Sequence, residues 1–443
     1  MYIKPMFRKI HKSFWYLPAF YSVFALLLAY ASVEMDHFLA GVGAQDQFPR
    51  FMVTDRENTR VILSALATSI LTMTAITFSS IMVLLSTYLS QYSPRTLTNF
   101  ISDTVTRRVL GIFIGSFLYF VLVLLWMNIS DQPMFMLVPT LSVLLSAICL
   151  GFFVYFIHHV GNWIQVSNLI QDITDNCLAI LQTKEAGKAH LNASETSPWS
   201  SWESDELKMS VHRVASSKRS GFIQFIDIDA FVKKAAEDDL LIRLDKKIGD
   251  YVDEGTGLFT YWSLSDGSYH IDEYIEHIQI GGQRTTEQDL EFGIQKLTEI
   301  ALRAISPGIN DPQTAINCIQ RLGKILARLA ERSMEEPYLY DREKNLRVIL
   351  KTTTFAHVLY KTFYQIRFYS RQDVSVIATI IDALTMIAEK SEGPLKEAVW
   401  KFAKAVGSGI DRSALIDLDY IYLNSKLDEL AKQTGHTKEN YHL

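Results

Sequence analysis

Cysteine is scarce in this sequence, and charge is scarce in its first 171 residues. The only cysteines are Cys149, Cys177 and Cys318, which form neither a CxxC pair nor the spacing of a zinc site. We therefore expect no disulfide framework, no bound metal and no other cofactor. Residues 1–171 hold 10 basic and 7 acidic side chains, whereas residues 172–443 hold 33 and 41. The acidic excess of the second part excludes a general nucleic-acid binder, which needs a basic face to neutralise phosphates.

The sequence motifs of common enzymes are also missing. The chain has no GxxxxGK[ST] loop, and Gly41-Val42-Gly43 lacks the third glycine and the preceding strand of a dinucleotide site. HExxH, GxSxG and the protein-kinase signatures do not occur either. His270, Glu273 and His277 would share one face of a helix, but we interpret them as a solvated surface rather than a metal site. The sequence predicts a protein that is not an enzyme.

Long uncharged apolar runs dominate the first part of the chain. A helix needs about 20 apolar residues to cross a bilayer core about 30 Å thick. Four runs without Lys, Arg, Asp or Glu reach that length, namely residues 14–33, 61–90, 109–130 and 134–160. Only Asp131, Gln132 and Pro133 separate the last two runs, so we expect a tight hairpin there. The predicted fold is an α-helical membrane protein whose four transmembrane helices lie in residues 1–171.

Basic residues predict the orientation of these helices. Basic residues cluster in two segments. Before the first run they are Lys4, Arg8, Lys9 and Lys12, and between the second and third runs they are Arg95, Arg107 and Arg108. By the positive-inside rule both segments are cytoplasmic. An even number of spans then places the N-terminus and the C-terminus in the cytoplasm.

The first run also has a second interpretation. Its basic start and Ala29-Tyr30-Ala31 resemble a signal peptide with its cleavage site. Trp15, Tyr16 and Tyr21 suit an interfacial anchor instead, so we favour a retained helix. Cleavage would leave the orientation of the other three helices unchanged.

Hydroxyl side chains are unusually frequent in the second run, which contains eleven Ser or Thr residues. Small or polar side chains recur there at helical spacing, and we call this set the hydroxyl seam: Ala65, Thr68, Thr72, Ala75, Ser79, Met82 and Ser86. Such residues usually mediate close helix packing in membranes, as Gly111 and Gly115 of the third run would also do. They also suit an aqueous pathway in a homo-oligomer, which ranks second to close packing. The sequence leaves a packing face and a pore face as alternatives.

Two adjacent histidines, His158 and His159, lie at the end of the fourth run, in a segment without formal charge until Asp172. Adjacent side chains point about 100° apart on a helix, so these two cannot ligate one metal from the same face. We keep interfacial anchoring, a pH-sensitive or gating role and metal binding as alternatives, in that order. The fourth helix is expected to continue past the membrane surface into the cytoplasm.

The rest of the chain is predicted to be a cytoplasmic, mainly helical α+β domain. Residues 172–206 contain a helical extension and then a polar linker from Thr183. Residues 207–265 contain short strands and turn glycines that resemble the half-barrel of biotinyl and lipoyl carrier domains in shape only, because no lysine stands at the modified position. Residues 266–443 are mainly helical, and their first long helix is predicted from Thr286, with Thr286 and Asp289 at capping-box spacing.

A turn rich in proline and glycine separates that helix from the next. We call it the proline turn, and its residues are Ser306, Pro307, Gly308, Ile309, Asn310, Asp311 and Pro312. Asp311 can cap the second helix while Pro312 occupies its first position, so a rigid corner explains the pattern. The functional alternative is that free amides at the helix start bind an anion or an acidic partner group.

Four stretches of the chain together resemble a known family. They are Ser90–Arg95, His158-His159 with Ile164-Gln165-Val166, Glu287-Gln288-Asp289 with Phe292-Gly293, and Ala301–Pro312. These stretches look like the signatures of a bacterial family of predicted membrane proteins catalogued as domain of unknown function 2254. The resemblance covers nearly the whole chain and implies an inner-membrane protein with four spans and a cytoplasmic domain. It implies no activity, substrate or catalytic residue.

The function predicted from the residues is a homo-oligomeric channel or transport-like protein, with a cytoplasmic domain that regulates a pathway lined by the second run. No Lys, Arg, Asp or Glu lies inside any run, which disfavours a proton relay or a charge-coupled transporter. A passive pore does not need an ionisable group inside the membrane. The alternative is a non-conducting membrane-anchored scaffold or sensor that binds a cytoplasmic protein partner. In the channel interpretation, the aromatic helix at residues 360–369 would supply a contact between subunits.

Overall fold

The structure is a computed structural model of the 443-residue chain. It describes residues 15–42, 49, 52–91, 103–127, 134–163, 165–188, 212–263, 269–286, 288–331, 337–437, 439 and 443. The predicted hairpin at residues 131–133 and most of the 90–95 stretch lie outside these ranges. The chain divides into two compact units, residues 1–165 and residues 166–443.

Four long helices make up the described part of the first unit. They are α1 (Tyr16–Gly41), α2 (Arg56–Gln91), α3 (Thr104–Met127) and α4 (Leu137–Trp163). All four are long and apolar enough to cross a membrane, as the sequence predicts. Helices satisfy their own backbone hydrogen bonds, which is what a segment in lipid requires. α1 and α2 extend past the apolar runs, so the charged residues Asp36 and Arg56 belong to helices.

Close packing in this unit is clearest between α1 and α3. A Cβ added at Gly111 would lie 2.7 Å from Cδ2 of Tyr21, and one at Gly115 would lie 3.0 Å from the Tyr21 carbonyl oxygen. The two glycines of α3 therefore let α1 approach its backbone directly. This confirms the packing role predicted for the GxxxG pattern.

The helix ends at one face of the unit are tied together. A short ribbon pairs β1 (Thr54–Asp55) antiparallel with β2 (Met134–Phe135), just before α2 and α4. Nη2 of Arg56 donates a hydrogen bond to the Met127 carbonyl, the last residue of α3, at 2.7 Å. The carboxylate of Asp36 in α1 accepts hydrogen bonds from the first amides of α4. All four helices are thus linked at this face.

The second unit begins with the helix α5 (Val166–Lys188). The sequence predicts a fourth helix that runs on from the membrane, but α4 ends at Trp163, Gln165 is not helical, and α5 is a separate helix. α5 also extends into the segment predicted as a linker from Thr183. Its buried side chains recur at helical spacing and are Leu169, Ile170, Ile173, Cys177, Ile180 and Leu181. This stripe packs against later helices of the same unit.

The strands of the second unit form two sheets. They are β3 (Arg213–Ser216), β4 (Gly221–Ile226), β5 (Leu240–Leu244), β6 (Tyr251–Val252), β7 (Gly257–Ser263), β8 (Ile278–Gly281), β9 (Tyr338–Tyr340) and β10 (Leu346–Ile349). One sheet has the order β3-β7-β5-β10-β9 and the other β6-β4-β8. β10 pairs parallel with β5. The local sequence carries no signal for this pairing. The half-barrel subdomain is not confirmed, because β8, β9 and β10 from outside residues 207–265 complete these sheets.

Eight further helices complete the second unit as it is described. They are α6 (Ile228–Glu237), α7 (Ile271–Glu276), α8 (Leu290–Ala304), α9 (Pro312–Ala330), α10 (Phe355–Tyr369), α11 (Val374–Glu389), α12 (Pro394–Ser408) and α13 (Asp417–Thr434). α9 and α11 approach closely, since a Cβ added at Gly323 would lie 2.9 Å from that of Ala383. Their facing apolar stripes, with those of α8 and α13, form the helical core.

The start of α8 differs from the sequence prediction. The helix begins at Leu290, and Asp289 is its N-cap, accepting a hydrogen bond from the Phe292 amide at 2.9 Å. The capping box predicted for Thr286 and Asp289 is therefore wrong. Asp289 caps from outside the helix because Arg284 holds its second oxygen, with Nη2 to Oδ2 at 2.6 Å.

Candidate functional site

The hydroxyl seam lies on the outward face of α2. Its residues Thr68, Thr72, Ala75, Ser79 and Ser86, together with Ala65 and Met82, are all exposed in the single chain. On the opposite side of the helix, Leu63, Ile70, Ile81 and Leu84 are buried. The small and hydroxyl-bearing side chains of the seam therefore share the outward surface of α2 with large apolar ones such as Leu71, Phe78 and Val83, while Thr77 is buried on the inner side. The seam does not pack against the third helix of its own chain.

The hydroxyl protons of Thr68 and Thr72 are satisfied by the backbone of α2, whereas the buried hydroxyl of Thr77 has no hydrogen-bond partner among the described residues. Oγ1 of Thr68 donates to the Ser64 carbonyl at 2.9 Å, and Oγ1 of Thr72 donates to the Thr68 carbonyl at 2.9 Å. Each of these hydroxyl oxygens keeps lone pairs that can accept a further hydrogen bond. The seam therefore presents oxygen acceptors along the helix without leaving these donors unpaired, which is compatible with weak contact to water or ions.

His159 links the end of α4 to the start of α3. Its Nε2 lies 3.1 Å from Oδ2 of Asp103, and the two side chains are 19% and 10% exposed. The same oxygen of Asp103 accepts hydrogen bonds from the amide of Thr106 at 2.8 Å and from its hydroxyl at 2.7 Å. Arg107 is buried beside this group, and its Nε donates to the Asp103 carbonyl at 3.3 Å. The pair is therefore a polar contact between two of the apolar helices.

The two histidines have different surroundings. His159 stacks on Tyr155, with ring centroids 6.2 Å apart, and faces Asp103. His158 is exposed and lies 3.2 Å from Nδ2 of Asn162 on its own helix. The structure thus directs only His159 at another helix, in agreement with the 100° separation of adjacent residues. Its partner Asp103, 56 residues away, carries no sequence signal of this role.

A buried carboxylate that sequence reasoning missed caps α4. Asp36 is 1% exposed. Its Oδ1 accepts from the amides of Met136 at 3.1 Å and Leu137 at 2.7 Å, and its Oδ2 accepts from the amide of Val138 at 2.9 Å. The first amides of a helix have no partner within it and attract negative charge. The available signal is an acidic residue three positions after the apolar run that ends at Val33.

The proline turn is a rigid corner between α8 and α9. Asp311 caps α9 by accepting from the Thr314 amide at 3.1 Å, and Pro312 is the first helical residue, as the sequence predicts. The Asp311 amide donates to the Ala304 carbonyl at 2.8 Å, which closes the turn onto the end of α8. Asn310 has the left-handed φ of 51°, a conformation that asparagine tolerates better than most residues.

One side of the proline turn lines a surface cleft of about 490 Å³. Its lining joins this turn to the turn between α10 and α11, and consists of Ile305, Asn310, Pro312, Tyr369, Ser370, Gln372, Asp373, Val374 and Ser375. Asp373 caps α11 by accepting from the Val376 amide at 3.1 Å. Both helix starts at this cleft are therefore already capped by a carboxylate. The cleft suits a ligand with hydrogen-bond donors, and the anion interpretation of the proline turn loses support.

Two cations flank the ring of Phe292 in the 287–293 stretch. The guanidinium carbon of Arg284 and Nζ of Lys296 each lie 4.8 Å from the ring centroid. Burial raises the pKa of Asp289 despite its contact with Arg284, and burial lowers the pKa of Lys296 to about 8. This cluster holds the start of α8 in place.

Gly293 of α8 allows close packing of α5 against α8. A Cβ at this position would overlap Sγ of Cys177, so only glycine allows the two helices their present separation. Burial raises the pKa of Cys177 to about 12, which keeps it a protonated, unreactive thiol at neutral pH. The glycine of the 287–293 stretch therefore has a packing function.

The histidines near α7 do not form the metal site that their spacing allows. His270 precedes α7 and His277 follows it, so His270, Glu273 and His277 do not share a helical face. Glu273 pairs with Nζ of Lys234 at 2.6 Å, and this contact lowers the pKa of Glu273. Within the described ranges, no group of three or more His, Cys, Asp or Glu side chains is arranged to hold a metal ion.

Comparison with known proteins identifies the family. A family model described as "Predicted membrane protein (DUF2254)" matches residues 11–386. The chain belongs to this family. Two relatives of this DUF2254 protein are "Uncharacterized protein Mb1321c" of Mycobacterium bovis and "Uncharacterized protein Rv1290c" of Mycobacterium tuberculosis. Each is 28% identical over 345 residues, which cover 76% of this chain. The matched region spans only 64% of each relative, and no solved structure matches this DUF2254 protein.

Proposed function

We propose that this DUF2254 protein is a homo-oligomeric channel or transport-like protein of the bacterial inner membrane, with both termini in the cytoplasm. It acts without catalysing a reaction. The observation that carries the proposal is the position of the hydroxyl seam, which faces away from the other helices of its own chain. The hydroxyl oxygens of this face can accept further hydrogen bonds from water or from another protein surface, whereas lipid chains offer them no donors.

The length of the hydroxyl seam supports a pathway as well as a contact between subunits. From Ala65 to Ser86 the seam rises about 32 Å at 1.5 Å per residue. This matches the hydrocarbon thickness of about 30 Å. A packing motif needs only one or two helical turns, as at Gly111 and Gly115. We therefore propose that copies of α2 surround a common axis, with the seam directed at that axis.

His159 and Asp103 are the proposed gating pair. They lie at the ends of α4 and α3 that the positive-inside rule assigns to the cytoplasmic face. A protonated imidazole gains the attraction of Asp103, whereas the neutral ring keeps only a hydrogen bond. Thr106, Arg107 and the ring of Tyr155 also face this pair. In this proposal the second unit regulates the pathway.

The second candidate function is a non-conducting membrane-anchored scaffold or sensor that binds a cytoplasmic protein partner. The cleft at the proline turn favours it, since exposed Tyr369 lines the cleft, and Ile309 and Phe368 are the chain neighbours of the lining residues Asn310 and Tyr369. Ile309, Phe368 and Tyr369 are 40%, 57% and 67% exposed. Aromatic side chains around a polar pocket are common in protein interfaces.

Disulfide cross-linking between copies tests the oligomer on which the channel proposal depends. Thr72→Cys places a thiol on the hydroxyl seam, and Ile70→Cys places one on the buried face of the same helix, where Ile70 is 1% exposed. The proposal expects oxidation in native membranes to give a covalent dimer with Thr72→Cys and none with Ile70→Cys. Cross-linking to the same extent by both variants, or by neither, would contradict it. The unmodified protein controls for Cys149, Cys177 and Cys318, which are buried.

A further inference from the structure

A cavity in the membrane unit lies where α2 begins and α3 ends. Its volume is about 300 Å³, and it is lined by Arg56, Glu57, Arg60, Leu124 and Met127. These residues sit at the ends of two helices that are long enough to cross a membrane. Lipid headgroups occupy that depth of a bilayer.

The polar side of this cavity is built by α2. Arg56 and Arg60 are four residues apart, so they project from the same face of the helix. Nη2 of Arg56 donates to the Met127 carbonyl at 2.7 Å, which holds this guanidinium at the cavity wall. Arg60 is exposed and makes no ion pair or hydrogen bond with any residue in the described part of the chain. The cavity therefore keeps a guanidinium that is available to a ligand.

The apolar side of the cavity is built by α3. Leu124 and Met127 are three residues apart on the face that borders the arginines. Leu125, next to them, is 57% exposed on the outer surface of the unit. Cationic and apolar walls thus meet at the membrane surface, which is the chemistry of a lipid where its headgroup joins its acyl chains.

We propose that this cavity binds the phosphodiester group of a membrane phospholipid. A guanidinium presents parallel N–H donors that match two phosphate oxygens, and Arg60 supplies such a fork, with Arg56 adding positive charge beside it. Glu57 contributes a carboxylate that accepts hydrogen bonds. The ammonium of ethanolamine and the hydroxyls of glycerol can donate to it, whereas the quaternary nitrogen of choline cannot. The site therefore selects phosphatidylethanolamine and phosphatidylglycerol over phosphatidylcholine, whether or not the protein conducts ions.

Native mass spectrometry of the delipidated full-length protein in mild detergent tests this site. Phosphatidylethanolamine, phosphatidylglycerol and phosphatidylcholine with identical acyl chains are each titrated against the protein. We expect the first two to bind about tenfold more tightly than the third, and Arg60→Gln to weaken their binding about tenfold through loss of a charge-assisted contact. Arg108→Gln is the matched control, because Arg108 is exposed at the opposite end of α3. It should bind lipid like the unmodified protein.

Three results would overturn the proposal. One is unchanged lipid binding by Arg60→Gln, and another is equal binding of all three lipids by the unmodified protein. The third is displacement of the lipid by millimolar glycerol 3-phosphate, which would assign the cavity to a soluble phosphate compound instead. If Arg60→Gln does not fold, Glu57→Gln serves as the second variant. It should keep phosphate binding but lose the preference against phosphatidylcholine, and an unchanged preference would contradict the role of Glu57.

Discussion

Replacement of Asp36 should destabilise the membrane unit far more than replacement of its neighbours. The carboxylate accepts three backbone hydrogen bonds at the start of α4, from Met136, Leu137 and Val138. Asp36→Ala removes all three acceptor contacts and the charge. Because α1 and α4 are separated by about 100 residues of sequence, the variant also loses a link between the first and last helices of the unit.

The size of the effect follows from the amides that lose their partner. A buried donor left unsatisfied costs about 1–3 kcal/mol, and a favourable charge at a helix start contributes about 0.3–1 kcal/mol. Once the carboxylate is removed, water can enter beside part of this helix start, so we expect a loss of about 2–5 kcal/mol rather than the full sum. Asp36→Asn keeps one acceptor oxygen, which can still serve Met136 and Leu137. We expect about 1–2 kcal/mol for that variant.

Equilibrium unfolding in mixed detergent micelles measures these differences. Glu34→Ala is the control, because Glu34 is exposed on the same helix two residues earlier. Its free energy of unfolding should stay within about 0.5 kcal/mol of the unmodified protein, as for ordinary surface substitutions. If Asp36→Ala is as stable as Glu34→Ala, the capping interaction does not hold these helices together and the reasoning is refuted.

Three further predictions concern the second unit. Asp311→Ala should lower the free energy of unfolding by about 0.5–2 kcal/mol through loss of the α9 cap, and unchanged thermal stability would contradict the structural role of the proline turn. Gly293→Ala should cost about 1–3 kcal/mol by overlap with Cys177. The added Cys177→Ala change should restore most of this loss in a double-mutant cycle, and additive losses would refute the contact. Burial opposes ionisation of Glu291, but contacts with Lys247 and Lys361 outweigh it and lower the pKa to about 2. Since the unfolded pKa is about 4.3, Glu291 stabilises the folded state by up to about 3 kcal/mol above that pH and loses this contribution as pH falls toward 2. Urea unfolding from pH 7 to pH 3 should show the Glu291→Gln deficit shrinking with acidity, and a pH-independent deficit would contradict the pKa shift.

The sequence predicts the four apolar helices well because their signal is local. Length and the absence of charge suffice to place them. The same criterion misplaces two helix ends. It ends the first helix before Asp36, and it assigns Arg56 to the loop before the second helix. Both are helical, because each charge binds the backbone at the end of another helix. A polar residue beside an apolar run therefore marks a possible cap as well as a boundary.

Local capping in the second unit is predictable only where both partners are close in sequence. Asp311 and Pro312 supply a complete N-terminal pattern for α9, and the structure agrees. Thr286 and Asp289 show a similar pattern that fails, because Arg284 competes for the carboxylate. The cap then forms at Asp289 itself.

Long-range pairs account for most of what the sequence does not predict. The parallel pairing of β10 with β5 joins Val348 to Ile242, so the sheets extend beyond the predicted β subdomain. His159 is recognisable as a candidate, but its partner Asp103 is identified only by the fold. The spacing of the hydroxyl seam predicts its face on α2, whereas its outward direction depends on which side of α2 the other helices cover.

Single-channel recording of the purified protein in planar bilayers tests most directly whether the hydroxyl seam lines a pathway. We expect discrete currents from the unmodified protein, and we expect Thr72→Leu and Ser79→Leu to reduce the unitary conductance. Thr74→Leu makes the same chemical change off the seam, where Thr74 bonds to the Ile70 carbonyl, and it should leave the conductance unchanged. If no current appears at any pH, voltage or tension, or if all three variants conduct like the unmodified protein, the seam does not line a conducting pathway.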